Sequence, residues 1–543
     1  MVNNNDNDEA NPSAPYVIDG NTLYKRTDDA SYTPISRRVE IIRRLLNDDT
    51  GKITLELSFD YAGSSHTIEI SRGLLTPRKI SELLAYGVDV SDQKAGAIVG
   101  WLSYQEEQLP LQRVHSTVGF DFSQSRPVFK HDQAIGMDSQ YAGPLQIHPK
   151  GTYEDWLHLV KKEVMGHPPL ELALVLGLCA PVASYINHIS GGEVLLFHLC
   201  GNSTQGKTTA VMLSISTFGT PIVGHSSLLK DWNGTRNAVL AQLRDIQGLP
   251  VAFDEASMLG GDFGNLIYQL ASGKDKSRLD NEGALRRSGQ WSGSIISNGE
   301  RSLSSGSSKN AGSQIRITEL SNIPWTQSAE NANRLKEGLL KHHGHAGPRF
   351  VEYLLTQGLD QLDMRRRNWS KCIEAAFSKA DTFTQRLSDK IAILLMTAEL
   401  ANEAFNWGLD VQAMSSLLIS ATAQASGHRD IGKRAYQYLM ECIHMHENHF
   451  YMNDVAPSIE PVWGKWIVED QSLKEIYIYP TVFQSLMKQG GFENPSTILQ
   501  LWKDEGLIDH ESNKFTRKKV ISASSSSRVH VVKIIDSADS DSV

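Results

Sequence analysis

The residues with the clearest chemical meaning are Gly201-Asn202-Ser203-Thr204-Gln205-Gly206-Lys207-Thr208, followed by Thr209. They satisfy G-x-x-x-x-G-K-[ST] at every fixed position. Each part has a physical purpose. Glycines let the backbone turn sharply and bring its N–H groups against an anion. A helix starting at Lys207 aims its positive end at the same anion. The Lys207 ammonium would reach the outer phosphates of a nucleoside triphosphate, and the Thr208 hydroxyl would ligate Mg2+. ATP and Mg2+ are the ligands this chemistry calls for. The competing reading is a glycine-rich turn with an incidental lysine. The flanks favour the phosphate site, because an apolar run from Glu193 to Cys200 precedes the loop and helical character over 207–218 follows it.

A second group lies further on. The apolar run Leu249 to Phe253 ends in Asp254 and Glu255. Two carboxylates at the end of a buried strand form a Walker B arrangement: Asp254 would hold the metal and Glu255 would act as general base toward water. A third apolar run, Ser294 to Ser297, ends in Asn298. Asn298 would orient the attacking water, or it forms a turn with Gly299. Between the second and third runs lie Lys274, Lys276 and Arg278, then Asn281-Glu282-Gly283, then Arg286 and Arg287. Two basic clusters around a turn predict a hairpin whose cations contact DNA phosphate. Asp275, Asp280 and Glu282 share the segment, so on charge alone it reads as a solvated loop.

These residues need a parallel sheet to present them. Short buried strands alternating with helices over about 190–325 predict an α/β fold, and with the glycine-rich loop a P-loop NTPase core; its AAA+/ASCE type is implied only by a family resemblance. Around it we expect a disordered tail over 1–14, an α+β domain over 15–150, the ATPase core over 151–325, a helical lid over 326–430, a C-terminal domain with a winged-helix-like module over 431–535, and an acidic tail over 536–543. In the N-terminal domain, Ile53, Leu55, Leu57 and Phe59 alternate as in a strand, and Ile68 and Ile70 suggest its hairpin partner. Thr76-Pro77 reads as a helix start. Helices over 153–190 are expected to break at His167-Pro168-Pro169. Near the C-terminus, two amphipathic helix patterns precede strand-like runs, with Arg517, Lys518 and Lys519 on the wing. DNA and protein contact are both open for that module.

The chain has 543 residues, 40% hydrophobic and 21% charged, which suits a globular protein of several domains. With 53 Lys and Arg against 62 Asp and Glu, the net charge of −9 excludes a chain-wide basic coat but leaves local patches possible. Cys179, Cys200, Cys372 and Cys442 form no CxxC pair, so a reducing, cytoplasmic setting fits. The first residues lack a secretory pattern, and the apolar run Leu172 to Ile186 falls short of the ~20 residues of a membrane span. Cys442, His446 and His449 share a helical face, a weak zinc pattern without a fourth ligand.

The sequence resembles the bacterial and phage domain-of-unknown-function family 927, whose ATPase core is similar to AAA+ helicases. Gly201 to Thr208, Trp232-Asn233-Gly234-Thr235, Phe253-Asp254-Glu255, Gly273 through Arg278, Ser297-Asn298-Gly299-Glu300 and Gly344-His345-Ala346-Gly347-Pro348 carry the resemblance, which spans about 20–535. Its members are similar to replicative helicases of the mini-chromosome-maintenance kind and occur in mobile elements. The resemblance implies that the 274–287 excursion is a hairpin pointing into a ring's pore. It suggests Arg316 as an arginine finger and, more distantly, Arg386 as a lid arginine. The expectation is an ATP-driven DNA motor on single-stranded or forked DNA. It would work as a homo-oligomer, a hexamer, alongside a primase or polymerase and with no membrane partner. The alternatives are a non-unwinding NTPase switch, a small-molecule kinase and a nucleotide-binding scaffold.

Overall fold

The computed structural model describes residues 14–534 apart from 259–263, 277, 280–284, 287, 304–314, 378–381, 428–430, 453–454, 470–471, 493–494, 513 and 523–524. The chain divides into two compact units after Leu145.

In the first unit, strand Ile53–Tyr61 pairs antiparallel with Ser64–Ser71 and with Val39–Asn47. Its alternation buries Leu55, Leu57 and Phe59 on one face. The hairpin closes at Ala62 and Gly63, both at positive φ, which matches the twist of the flanking strands. Helix Ala95–Gln108 lays Ala95, Ile98, Trp101 and Leu102 into the same core. The Trp101 indole N–H donates to the Val39 carbonyl at 2.6 Å. The helix expected from Thr76-Pro77 is shorter than its sequence suggests. Lys79 and Ile80 close a turn back onto the Thr76 carbonyl, and a 3-10 helix then covers only Ile80–Tyr86.

The second unit is built on a parallel sheet. Its strands are β1 (Leu195–Cys200), β2 (Leu229–Asp231), β3 (Val251–Asp254), β4 (Ser294–Gly299) and β5 (Ile317–Ser321), in the spatial order β2-β3-β4-β1-β5. Every pair is parallel. β1 and β4 are buried at every position, which is why they read as unbroken apolar runs. Helix α1 (Pro168–Ser190) starts after His167, with Pro168 in its first turn, and is longer than the apolar run alone suggests. It continues through Pro181 and is long and apolar enough to cross a membrane, yet that stretch is wholly buried in the protein. Helix α2 (Lys207–Ser216) crosses it closely: a Cβ on Gly177 would sit 2.9 Å from the Ser214 carbonyl carbon, so only glycine fits there. Helix α3 (Gly264–Ser272) follows β3, and the long helix α4 (Thr382–Phe405) lies among the helices that follow β5.

Beyond them, helix Ile431–Met445 packs with helices Pro480–Gln489 and Pro495–Asp504 around Phe483 and the fully buried Trp502. Strand Arg517–Ser522 pairs antiparallel with Ser525–Lys533. Strands Gly464–Glu469 and Ser472–Ile478, not anticipated from the sequence, extend the sheet.

Candidate active site

Strand β1 delivers Gly201 directly from the sheet, and the loop turns into α2 at Gly206, where φ is 78°. A Cβ at Gly206 would run into the Thr326 side chain, so the close approach as well as the conformation requires glycine. Thr204 adopts φ 75°, a conformation that strains a β-branched residue. The loop is anchored by its neighbours: Trp325 N–H donates to the Gln205 carbonyl at 2.8 Å, and Asn322 N–H to the Cys200 carbonyl at 2.9 Å. The N-cap position of α2 is Gly206, which has no side chain to cap the helix, so its first N–H groups are open to an anion. Lys207 is nearly buried and folds over its own loop, donating to the Gly201 carbonyl at 2.9 Å and the Asn202 carbonyl at 2.7 Å. Thr208 Oγ1 lies 3.4 Å from Asp254 Oδ1, across from the end of β3.

Asn298 joins these parts. From the adjacent strand β4 its amide N–H2 donates to Asp254 Oδ1 at 2.5 Å and to Thr208 Oγ1 at 3.3 Å. Its carbonyl oxygen accepts the Glu255 N–H at 2.8 Å. Glu255 itself stands at φ 59°, a strained posture that the Asn298 bond helps to hold. The Glu255 carboxylate accepts a hydrogen bond from the Ser257 hydroxyl. Thr208, Asp254, Glu255 and Asn298 therefore meet at the carboxyl ends of neighbouring strands, beside the loop.

The residues suit a magnesium nucleotide. A hydroxyl and a carboxylate side by side are hard oxygen donors, and Mg2+ takes few protein ligands and completes its shell with water and phosphate. Among the described residues no group of three or more His, Cys, Asp or Glu could hold a metal ion by itself. Cys442, His446 and His449 are no exception. His446 engages the Cys442 carbonyl, His449 engages the Pro461 carbonyl, and both rings stack on Trp463.

Sequence reasoning missed the layer behind the site. Trp232 stacks on Phe253 with centroids 4.4 Å apart and donates to Ser297 Oγ at 3.1 Å. His198, in the middle of β1, bonds Ser297 Oγ and the Arg301 carbonyl. Burial pushes the His198 imidazole below its ordinary value, which suits a neutral, bridging ring. A histidine inside an apolar strand run was the available signal.

Residues 17–290 match the model of the family described as Domain of unknown function (DUF927). The chain belongs to that family. Residues 430–537 match a second model, the Cch helix turn helix domain. Among solved structures, one titled "SCCmec type IV Cch - active helicase" superposes with a TM-score of 0.78 at 21% identity, covering 97% of this chain and 98% of its own. That likeness concerns the fold. No curated protein matches the sequence.

The remaining candidates of this DUF927 protein lie away from the loop. Arg316 directly precedes β5, where it pairs with Glu193 at 3.1 Å and lies over the Tyr268 ring at 4.1 Å. It is not among the groups gathered at Thr208. Arg386 is exposed on α4. The basic excursion is a hairpin in its backbone, with Arg278 opposite Arg286 and Leu279 opposite Leu285. Lys274 and Lys276 are exposed near its base. Arg287 and the Asn281–Gly283 turn lie outside the described residues, as do the side chains of Arg278 and Arg286. On the C-terminal strand, Arg517 pairs with Asp509 and Lys519 with Glu475 and Asp509.

Proposed function

We propose that this protein is an ATP-hydrolysing DNA motor, a helicase of a mobile element, with a P-loop core of the AAA+ type. One observation carries the reading: the Asn298 amide ties the hydroxyl of Thr208, the carboxylate of Asp254 and the backbone of Glu255 together at the mouth of an uncapped helix. Open parallel sheets bind nucleotides at this end. Gly201 to Thr209 would cradle the phosphates. Lys207 would exchange its loop carbonyls for phosphate oxygens, and Thr208 and Asp254 would hold the metal. Bound Mg2+ neutralises charge on the phosphates. Glu255 would take the proton of the attacking water, while Asn298 would hold the end of β3, which carries both carboxylates.

The solved neighbour is titled an active helicase, and the C-terminal segment matches a helix-turn-helix model. Both support DNA as the substrate. Helices Ile431–Met445, Pro480–Gln489 and Pro495–Asp504 followed by a two-stranded wing support a winged-helix-like module. The relation to mini-chromosome-maintenance helicases, the hexameric ring, the lid over 326–430, Arg316 as finger and the hairpin cations as DNA contacts belong to the same proposal.

The test is ATP turnover with and without single-stranded DNA, together with strand displacement on a forked duplex. Lys207→Ala should abolish turnover. Lys274→Ala/Lys276→Ala should keep basal turnover but lose DNA stimulation. Turnover without displacement would favour a switch, and ATP binding without turnover a scaffold.

A further inference from the structure

The hairpin and Arg316 come from different parts of the chain, yet one helix touches both. Helix α3 ends at Ser272 and passes through Gly273 into the hairpin base. That base is stiff. Trp291 N–H donates to the Gly273 carbonyl at 2.9 Å, and the Trp291 indole donates to the Leu270 carbonyl at 2.9 Å. Lys274 pairs with Gln290, and the buried Asp275 is gripped by Arg244. On the other side, Val194 N–H donates to the Ala271 carbonyl at 3.0 Å, which fixes the end of α3 to the chain just before β1. A displacement of the hairpin base is thus passed to α3 rather than absorbed at the junction.

One turn back from that junction, Tyr268 offers its ring face to the Arg316 guanidinium, 4.1 Å from the centroid. Glu193, next to the Val194 anchor, takes the same guanidinium at 3.1 Å. The backbone beneath Arg316 is held separately. Lys390, nearly buried on α4, donates to the carbonyls of Ile315 and Arg316 at 2.8 and 2.7 Å. With the backbone clamped from α4, the part of Arg316 left to respond is its side chain. Two groups that bear on its direction are Tyr268, on the hairpin's own helix, and Glu193, at the foot of the loop strand.

We infer that Tyr268 and Glu193 are positioning residues that couple DNA on the hairpin to the aim of the Arg316 guanidinium. This rests on the proposed function above. A ring face and a carboxylate acting on one guanidinium form a defined cradle, since cation–π attraction is directional and survives partial burial. A nucleic acid pulling on Lys274 and Lys276 shifts α3, and with it the ring on which Arg316 rests. Neither residue is among the groups gathered at Thr208 and Asp254, so their effect is on the response to DNA.

The experiment measures steady-state ATP turnover, with kcat and KM for ATP determined separately, in the presence and absence of oligo-dT. Wild type, Tyr268→Leu, Tyr268→Phe and Glu193→Gln are compared in the full-length protein. Tyr268→Leu is expected to lower the DNA stimulation of kcat about threefold or more with KM for ATP unchanged. Tyr268→Phe keeps the ring face and should retain the stimulation. Glu193→Gln should also lower it. Wild-type stimulation in Tyr268→Leu, or equal loss in Tyr268→Leu and Tyr268→Phe, overturns the inference. Lys207→Ala serves as the separate check: if it still turns over ATP, the functional reading fails rather than the coupling. Circular dichroism melts of both Tyr268 variants distinguish loss of coupling from loss of fold.

Discussion

At the scale of single residues, the site is an arrangement of oxygen atoms held by one amide. Asn298 gives both its donors and its acceptor to the groups around Thr208, Asp254 and Glu255. Its truncation would leave the Asp254 carboxylate and the Glu255 N–H without that partner while removing no group from the loop. Asn298→Ala should therefore lower kcat by about 10–100-fold, the range for residues that orient a metal ligand, with a smaller effect on ATP affinity. Single-turnover kinetics beside a fluorescent-nucleotide titration would separate the two, and unaltered kcat would exclude the orienting role. Glu255→Gln keeps shape but removes the carboxylate proposed as the base. Turnover should fall by about 10²–10⁴-fold with nucleotide binding retained, and turnover near wild type would assign the base elsewhere.

At the scale of elements, β2 holds a group that titrates against the fold. Lys230 is buried and, among the described residues, donates to two carbonyls, those of His225 at 3.0 Å and Ser227 at 2.9 Å. Burial pushes its ammonium down to about 8. A base whose folded pKa lies below its unfolded value holds fewer protons when folded, so the unfolded chain binds the extra proton between the two values. Stability should therefore rise with pH from about 8 toward the ordinary lysine value, and the full penalty is present below about 8. Lys230→Met should flatten that rise. Urea melts at about pH 7 and about pH 9.5 measure it, and identical pH slopes in both proteins would rule the effect out.

At the scale of the whole molecule, Arg316 stands apart from the groups around its own Thr208, as a residue acting across a subunit interface would. If each nucleotide is completed by a neighbour's arginine, subunits of Lys207→Ala and Arg316→Ala are each inactive but repair one another. An interface formed by the intact loop of one and the intact arginine of the other has every part. Mixing the two variants should restore measurable ATP turnover. Absence of any recovery, with both variants assembling normally, would place the role of Arg316 within its own subunit. Sedimentation of wild type with and without nucleotide reads the assembly directly.

The loop at Gly201, the carboxylates after Phe253 and the strands that carry them were legible because local chemistry and burial leave marks in the sequence. A phosphate loop needs fixed glycines and a lysine at fixed spacing, and strands buried on both faces must be continuously apolar, as β1 and β4 are. The two-residue periodicity of Ile53–Tyr61 was legible for the same reason. Short edge strand β2 left little trace, because its three residues carry too few positions to show a period. Tertiary structure alone decided that Asn298 would reach Thr208 and Asp254 together, since this depends on β4 lying between β3 and β1. It also decided that Tyr268, Glu193 and Lys390 would converge on Arg316. Strand order and helix crossing set such meetings, and no spacing along the chain encodes a contact between residues on separate elements.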